Sequence, residues 1–89
     1  MVSQSITIVN KLGLHARAAA KLVSLASGFS SEIEIEHEKR RVNGKSIMGV
    51  MMLAASKGKV IVIYADGDDE NEALACLCSL VSDRFGEAE

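Results

Sequence analysis

The sequence predicts an α+β fold in which an antiparallel sheet carries its helices on one face. Three observations predict it: an Ile/Glu alternation over residues 32–36, helix-spaced apolar residues over 16–27, and the element order β-α-β-β-α-β-α. The alternation indicates a sheet with one wet face, because a glutamate occupies every second position. A chain of 89 residues suffices for one small domain, which we assign to residues 1–89.

The first half of the chain predicts a strand, a loop, a helix and a strand pair. The first strand is expected over residues 3–9, and a loop follows over 10–14. The first helix is expected over residues 16–27, with Gly28 just past its end. Its core-facing positions have helical spacing: Ala19, Leu22, Val23 and Ala26. After the Ile/Glu strand, a turn near residues 38–39 leads to a short strand that ends near Val42.

The second half predicts a helix on each side of one more strand. Ser46 is placed to cap a short helix that begins at Ile47. Residues 60–65 are apolar on both faces, which favours a central position in the sheet. Residues 69–72 are typical of a helix N-cap followed by an acid at the third position. The last helix is expected to run to about Arg84, with Gly86 ending it. Its expected core positions are Leu74, Leu77 and Val81.

Composition excludes several classes of function. The net charge of −2 and the 3% aromatic content argue against a nucleic-acid partner, and the basic run at 39–41 is interpreted as a solvated turn. The sequence has no apolar run of about 18 residues, so it predicts no membrane-spanning helix. The N-terminus lacks the pattern of a signal peptide, so we expect a cytoplasmic protein without a membrane partner. Cys76 and Cys78 lie two apart in a predicted helix, so we expect neither a disulfide nor a two-cysteine metal corner, and one or both to be small core residues.

The candidate chemistry centres on His15, at the junction of a loop and a helix. Gly13 allows an unusual backbone approach just before it. The N–H groups of the helix start, from Ala16 onward, favour an anion there. Arg17 adds a positive charge and a fork of donors suited to phosphate. The segment therefore predicts a histidine that carries a phosphoryl group.

No second catalytic group accompanies this histidine in the sequence. There is no Ser/His/Asp arrangement, no Walker-type phosphate loop and no set of metal ligands. His37 is interpreted as structural. We therefore expect no cofactor and no metal, and a protein substrate of transferases rather than an enzyme.

Two motifs together resemble the HPr family of phosphocarriers from the bacterial phosphoenolpyruvate-dependent phosphotransferase system. They are Gly13-Leu14-His15-Ala16-Arg17 and Ser46-Ile47-Met48-Gly49-Val50-Met51, and the similarity covers essentially the whole chain. The family implies an open-faced β-sandwich with strand order 1-4-2-3 under three helices. One departure is Ala18, where many family members have proline.

The resemblance also implies roles for individual residues. His15 would accept phosphate on Nδ1 from phosphorylated enzyme I and pass it to IIA-type proteins, with Arg17 and the Ala16 N–H stabilising the group. Ser46 would be phosphorylated by HPr kinase/phosphorylase, which inhibits the carrier through charge. We expect a monomer and an exposed apolar patch for partners. The expected patch residues are Leu14, Ile47, Met48 and Met51.

Two alternatives to this function remain open. The segments 51–56 and 83–87 look like proteobacterial forms, in which such systems are often regulatory. The chain could thus be a nitrogen-type regulatory module that acts by partner binding, with Ser46 as its main site. A small-molecule-binding domain is the other alternative, although the sequence gives no sign of a pocket.

Overall fold

The computed structural model describes residues 1–88, and these form strands and helices in the predicted order. The elements are β1 Val2–Thr7, α1 Ala16–Ser27, β2 Glu32–His37, β3 Arg40–Asn43, α2 Ile47–Met52, β4 Val60–Asp66 and α3 Glu70–Ser82, followed by a 3₁₀ turn at Arg84–Gly86. None of the helices in the described part has the length and apolar character needed to cross a membrane.

The four strands form one antiparallel sheet of order β1-β4-β2-β3. The predicted fold class and the strand order implied by the family are both confirmed. β4 is central, as its apolar sequence predicted, and Ile63 lies opposite Ile35 of β2. The glutamates of β2 occupy the outer face, where the Arg41 guanidinium lies 3.7 Å from the centre of the Tyr64 ring.

The core lies between the inner face of the sheet and the helices. The sheet contributes alternate residues, because side chains one apart in a strand point to opposite faces. Its fully or almost fully buried members are Ile33, Ile35, Ile61, Ile63 and Ala65. Helix α1 buries the four predicted positions and also Ala18. Helix α3 buries Ala73, Leu77, Cys78 and Val81, while Leu74 is half-buried.

The first strand is shorter than the predicted range of residues 3–9. β1 ends at Thr7, and Ile8 follows as a fully buried residue. The Ile8 N–H donates to the Lys59 carbonyl at 2.9 Å, and its own carbonyl accepts from the Gly58 N–H at 2.8 Å. Ile8 therefore bonds to the turn before β4, and the chain leaves the sheet there toward α1.

The helix start predicted at residues 69–72 is correct in position, but Asp69 does not make the expected side-chain bond to the helix. Asp69 is the N-cap residue of α3. Its carboxylate instead accepts the Ser30 and Ser31 N–H groups, each at 2.9 Å, and the Ser31 hydroxyl. These bonds lower the pKa of Asp69 from 3.8 to about 2. The side chain fastens the start of β2 to the start of α3, a contact that no local pattern could show.

The C-terminal helix ends two residues before the predicted limit at Arg84. After Ser82 the chain turns sharply, with Arg84 at φ 56° and Phe85 at φ 54°, both left-handed. Phe85 is completely buried, and its carbonyl accepts the Lys21 ammonium of α1 at 2.7 Å. Burial of this ring holds the turn, which sends the chain back toward the start of α1.

Candidate functional site

A loop that ends at Gly13 positions the start of α1. The Gly13 backbone has φ +66°, and a Cβ there would lie 2.5 Å from the Ala55 carbonyl oxygen. The adjacent Leu14 N–H donates to the same oxygen at 2.9 Å. Only glycine fits so close an approach of two backbone segments at a left-handed φ. The contact anchors the loop just before His15.

His15 is the N-cap residue of α1, as the sequence predicted. Its backbone is extended, with φ −72° and ψ 176°, and its side chain makes no bond to the helix. The first backbone bond at this helix end runs from the Ala19 N–H to the His15 carbonyl at 2.9 Å. The N–H groups of Ala16 and Arg17 thus have no partner within the helix, which leaves the positive end of the helix dipole beside the imidazole.

Glu87 lies against the other side of the same ring. Its Oε2 is 2.5 Å from His15 Nε2, and its Oε1 accepts the Asn10 amide at 3.0 Å. The Asn10 amide also donates to the Gly13 carbonyl at 2.8 Å, and Asn10 is completely buried. The bond from His15, and secondly that from Asn10, lowers the pKa of Glu87.

Sequence reasoning missed both Asn10 and Glu87. It placed only positive groups beside His15, whereas the structure adds a carboxylate from 72 positions further along the chain. No periodicity or spacing connects residues so far apart. The one available signal was Gly86, which marked a chain reversal just before Glu87.

The imidazole opens onto a surface cleft of about 500 Å³. Arg17 is fully on the surface and lines the cleft, so its guanidinium is available to a bound anion. The cleft residues are Lys11, Leu12, His15, Arg17, Glu87 and Ala88. The sequence gave no sign of a pocket, and this one is an open depression beside the histidine.

Ser46 begins α2 as predicted. Its hydroxyl accepts the Gly49 N–H at 3.2 Å, and the helix runs from Ile47 to Met52. The Val50 side chain is completely buried and fixes this helix on the core. The serine hydroxyl is therefore a true N-cap, and Ser46 itself is half-buried.

Three of the four residues expected in an exposed apolar patch are exposed, and Leu14 is not. Leu14 is only 5% exposed, because the loop at Gly13 turns its side chain into the core. Ile47, Met48 and Met51 are exposed, and the sequence analysis overlooked Leu12 and Met52, which are exposed as well. We call Leu12, Ile47, Met48, Met51 and Met52 the apolar patch below.

His37 is buried, and its Nδ1 lies 3.0 Å from the Leu53 carbonyl at the end of α2. This contact agrees with the structural role that the sequence predicted. Within residues 1–88, no three histidine, cysteine or acidic side chains are placed to hold a metal ion.

Comparison with known proteins decides the family. The family model for the phosphorylation site of the HPr component of the phosphotransferase system matches residues 2–83. This chain belongs to the HPr family. It is 56% identical to the phosphocarrier protein HPr of Neisseria meningitidis, over the full length of both chains. It is 44% identical to the phosphocarrier protein NPr of Shewanella violacea, over 98% of this chain and 96% of that protein.

Solved structures of HPr proteins have the same fold. The crystal structure of HPr from Thermoanaerobacter tengcongensis superposes with a TM-score of 0.96 at 49% identity, and each chain is covered completely. The protein is therefore a phosphocarrier of the phosphotransferase system and not an enzyme in its own right.

Proposed function

We propose that His15 is the residue that carries the phosphoryl group, which it receives from phosphorylated enzyme I and passes to IIA-type proteins. The observation that supports this most directly is the position of the ring. His15 caps the N-terminus of a 12-residue helix, and its Nε2 is occupied by Glu87 while Nδ1 accepts no bond within the described residues. A nucleophile needs a free lone pair, and Nδ1 has one when Nε2 carries the ring hydrogen.

In this proposal the phosphoryl group moves between nitrogens, and no proton leaves the His15 ring. The Nδ1 lone pair attacks phosphorus, and the bond from phosphorus to the donor nitrogen of enzyme I breaks and returns its electron pair to the donor. Nε2 keeps its hydrogen throughout. The reverse exchange then moves the group to the acceptor protein, so the carrier ends as it began.

Arg17 and Ala16 supply the stabilisation in this proposal. The first-turn N–H groups favour a negative group at the helix start, and the guanidinium is a fixed charge with a planar fork of donors. The Arg17 side chain lines the open cleft, where a partner's phosphoryl group can arrive.

The apolar patch is the proposed docking surface for these partners. Met48 is 70% exposed and Met52 60% exposed, and flexible thioether side chains adapt to differently shaped surfaces. One adaptable patch can in this way serve enzyme I and several IIA-type acceptors in turn.

We further propose that Ser46 is phosphorylated by HPr kinase/phosphorylase. A phosphate brings a charge of about −2 to the start of α2, where the helix N-terminus tolerates it. The fold should therefore survive, and the new charge would inhibit the carrier through an electrostatic clash with enzyme I.

Four remaining expectations belong to the same proposal. The chain works as one domain over residues 1–89, as a monomer, in the cytoplasm, and without a metal or cofactor.

The test is phosphorylation of the purified chain by phosphoenolpyruvate and enzyme I. We expect one phosphate per chain, labile in acid and stable in alkali, and none on the His15→Ala variant. The matched control is His37→Ala, which should still accept one phosphate. Acceptance by His15→Ala at the normal rate would refute the assignment.

The second candidate is a regulatory, nitrogen-type module that acts by binding partners. It rests on the similarity of segments 51–56 and 83–87 to proteobacterial forms in which such systems are often regulatory. Here Ser46 phosphorylation should change partner affinity while His15→Ala does not. Partner affinity is measured for the unaltered chain and for His15→Ala, each with and without phosphate on Ser46. The pattern of the four affinities separates the two functions.

A further inference from the structure

Glu87, Asn10 and His15 form a continuous chain of hydrogen bonds around the ring that we propose carries phosphate. Glu87 uses one carboxylate oxygen for His15 Nε2 and the other for the Asn10 amide. The Glu87 side chain is only 16% exposed, although it lies near the C-terminus. A carboxylate held at both oxygens has little freedom to move.

The fold brings Glu87 to this position through its backbone. The left-handed turn at Arg84 and Phe85 reverses the chain, and the buried Phe85 ring holds it against the core. Lys21 of α1 adds a bond to the Phe85 carbonyl, so the helix that begins at His15 also anchors the turn. Both partners of the His15–Glu87 contact are thus fixed to α1.

We propose that Glu87 is the positioning residue of the phosphoryl-transfer site. Its carboxylate accepts the Nε2 hydrogen of His15 and thereby holds the neutral ring in the tautomer whose free lone pair is on Nδ1. Asn10 in turn holds the carboxylate. This role deepens the proposed function and depends on His15 being the phosphoryl acceptor.

A carboxylate on one ring nitrogen can fix both the orientation and the tautomer of a reacting histidine. The two nitrogens of a neutral imidazole cannot both be nucleophiles, because one carries the hydrogen, and the group bonded to that hydrogen decides which. In serine-protease triads a carboxylate on one ring nitrogen holds the correct tautomer while the other nitrogen reacts. Glu87 occupies the equivalent position on Nε2, which leaves Nδ1 as the nitrogen that reacts.

The carboxylate also has a use after transfer. With phosphate on Nδ1, the Nε2 hydrogen still points at Glu87, so the ring orientation is the same before and after the reaction. The exchange therefore needs no rotation of the imidazole and no proton movement.

The test compares the full chain with its Glu87→Ala and Glu87→Gln variants, labelled with ¹⁵N and free of any phosphoryl donor. The ¹⁵N shifts of the His15 ring report which nitrogen carries hydrogen in the neutral form. We expect only the Nε2–H tautomer in the unaltered chain, a mixture in Glu87→Ala, and an intermediate result in Glu87→Gln, which keeps one accepting oxygen. Glu72→Gln is the control, because it removes the same charge from an exposed position in α3.

The second readout is the rate of phosphorylation by enzyme I. We expect Glu87→Ala to react about tenfold more slowly, the low end for loss of a group that orients a ligating histidine, and Glu72→Gln to react at the normal rate. An unchanged tautomer population and rate in Glu87→Ala would overturn the positioning role. A faster rate would overturn it too, since the carboxylate would then be repelling the phosphoryl group.

Failure of the proposed function would look different. The tautomer is measured without phosphate, so it does not depend on where phosphate lands. Phosphate mapped to another residue would refute His15 as acceptor, and the positioning role with it. Phosphate on His15 with no tautomer change would refute the positioning role alone.

Discussion

The hydroxyl of Ser46 accepts a hydrogen bond from the Gly49 N–H at 3.2 Å, so the residue that we propose as the regulatory site is also the cap of α2. A phosphate on this oxygen would sit at the start of the helix. The same residue therefore has a structural role that can be measured separately from its regulatory one.

Ser46→Ala should destabilise the protein by about 1 kcal/mol, because α2 loses its cap. Ser24→Ala, on an exposed position within α1, is the control and should have little effect. Ser46→Asp should keep most of the stability, since aspartate also caps helices, but should slow phosphorylation by enzyme I. Urea unfolding and phosphorylation rates measure the two effects. Equal rates for Ser46→Asp and the unaltered chain would contradict the charge mechanism.

Gly13→Ala should destabilise the protein by about 3 kcal/mol or more, because the added Cβ combines a left-handed backbone with overpacking. Gly58→Ala is a close control. Its φ is +89°, yet a Cβ there meets nothing within 4 Å, so it should cost only about 1–2 kcal/mol for the backbone. Chemical denaturation of both variants isolates the contact with Ala55. If both variants lose a similar free energy of unfolding, the close approach to Ala55 adds no cost of its own.

Asp69→Asn should lower stability at neutral pH and matter progressively less in acid. The bonds from Ser31 and Ser30 hold the pKa of Asp69 at about 2, below its ordinary 3.8. Stability from a lowered carboxyl pKa is complete above the unfolded value and is lost as the pH falls toward the folded one. The difference in urea midpoint should therefore shrink between about pH 5 and pH 2. Asp68→Asn changes an exposed neighbour and should alter the urea midpoint little. If the difference in midpoint between Asp69→Asn and the unaltered chain does not change with pH, the bonds from Ser30 and Ser31 do not stabilise the carboxylate.

Arg17→Glu should slow phosphorylation by about tenfold or more while changing stability little, because the side chain is exposed and faces the arriving anion. Arg17→Lys should give an intermediate rate, since it keeps the charge and loses the planar fork. Stopped-flow or quench assays with enzyme I, together with thermal unfolding, make the comparison. A rate loss that merely followed the loss of stability would remove Arg17 from the site.

Local patterns were enough to predict most of the fold. The Ile33 and Ile35 alternation set the face of β2, and the spacing from Ala19 to Ala26 set the buried side of α1, because both depend on neighbours in sequence. They also located His15 and Ser46, since each lies at a helix start that its own segment specifies.

Contacts between distant segments could not be predicted in this way. Asp69 has the position and residue type of a helix cap, yet its carboxylate accepts the N–H groups of two serines that precede β2. Leu14 belongs to the predicted motif, but the approach of Gly13 to Ala55 turns it inward. Glu87 reaches His15 only because a buried Phe85 reverses the chain. Each depends on tertiary packing that periodicity does not encode.

The central claim is that His15 carries the phosphoryl group on the nitrogen that Glu87 leaves free. The most direct measurement is ³¹P–¹⁵N correlation NMR of the labelled chain after reaction with phosphoenolpyruvate and enzyme I. We expect a single phosphorus coupled to Nδ1 of His15. Coupling to Nε2 of His15, or phosphate on any other residue, would contradict the account.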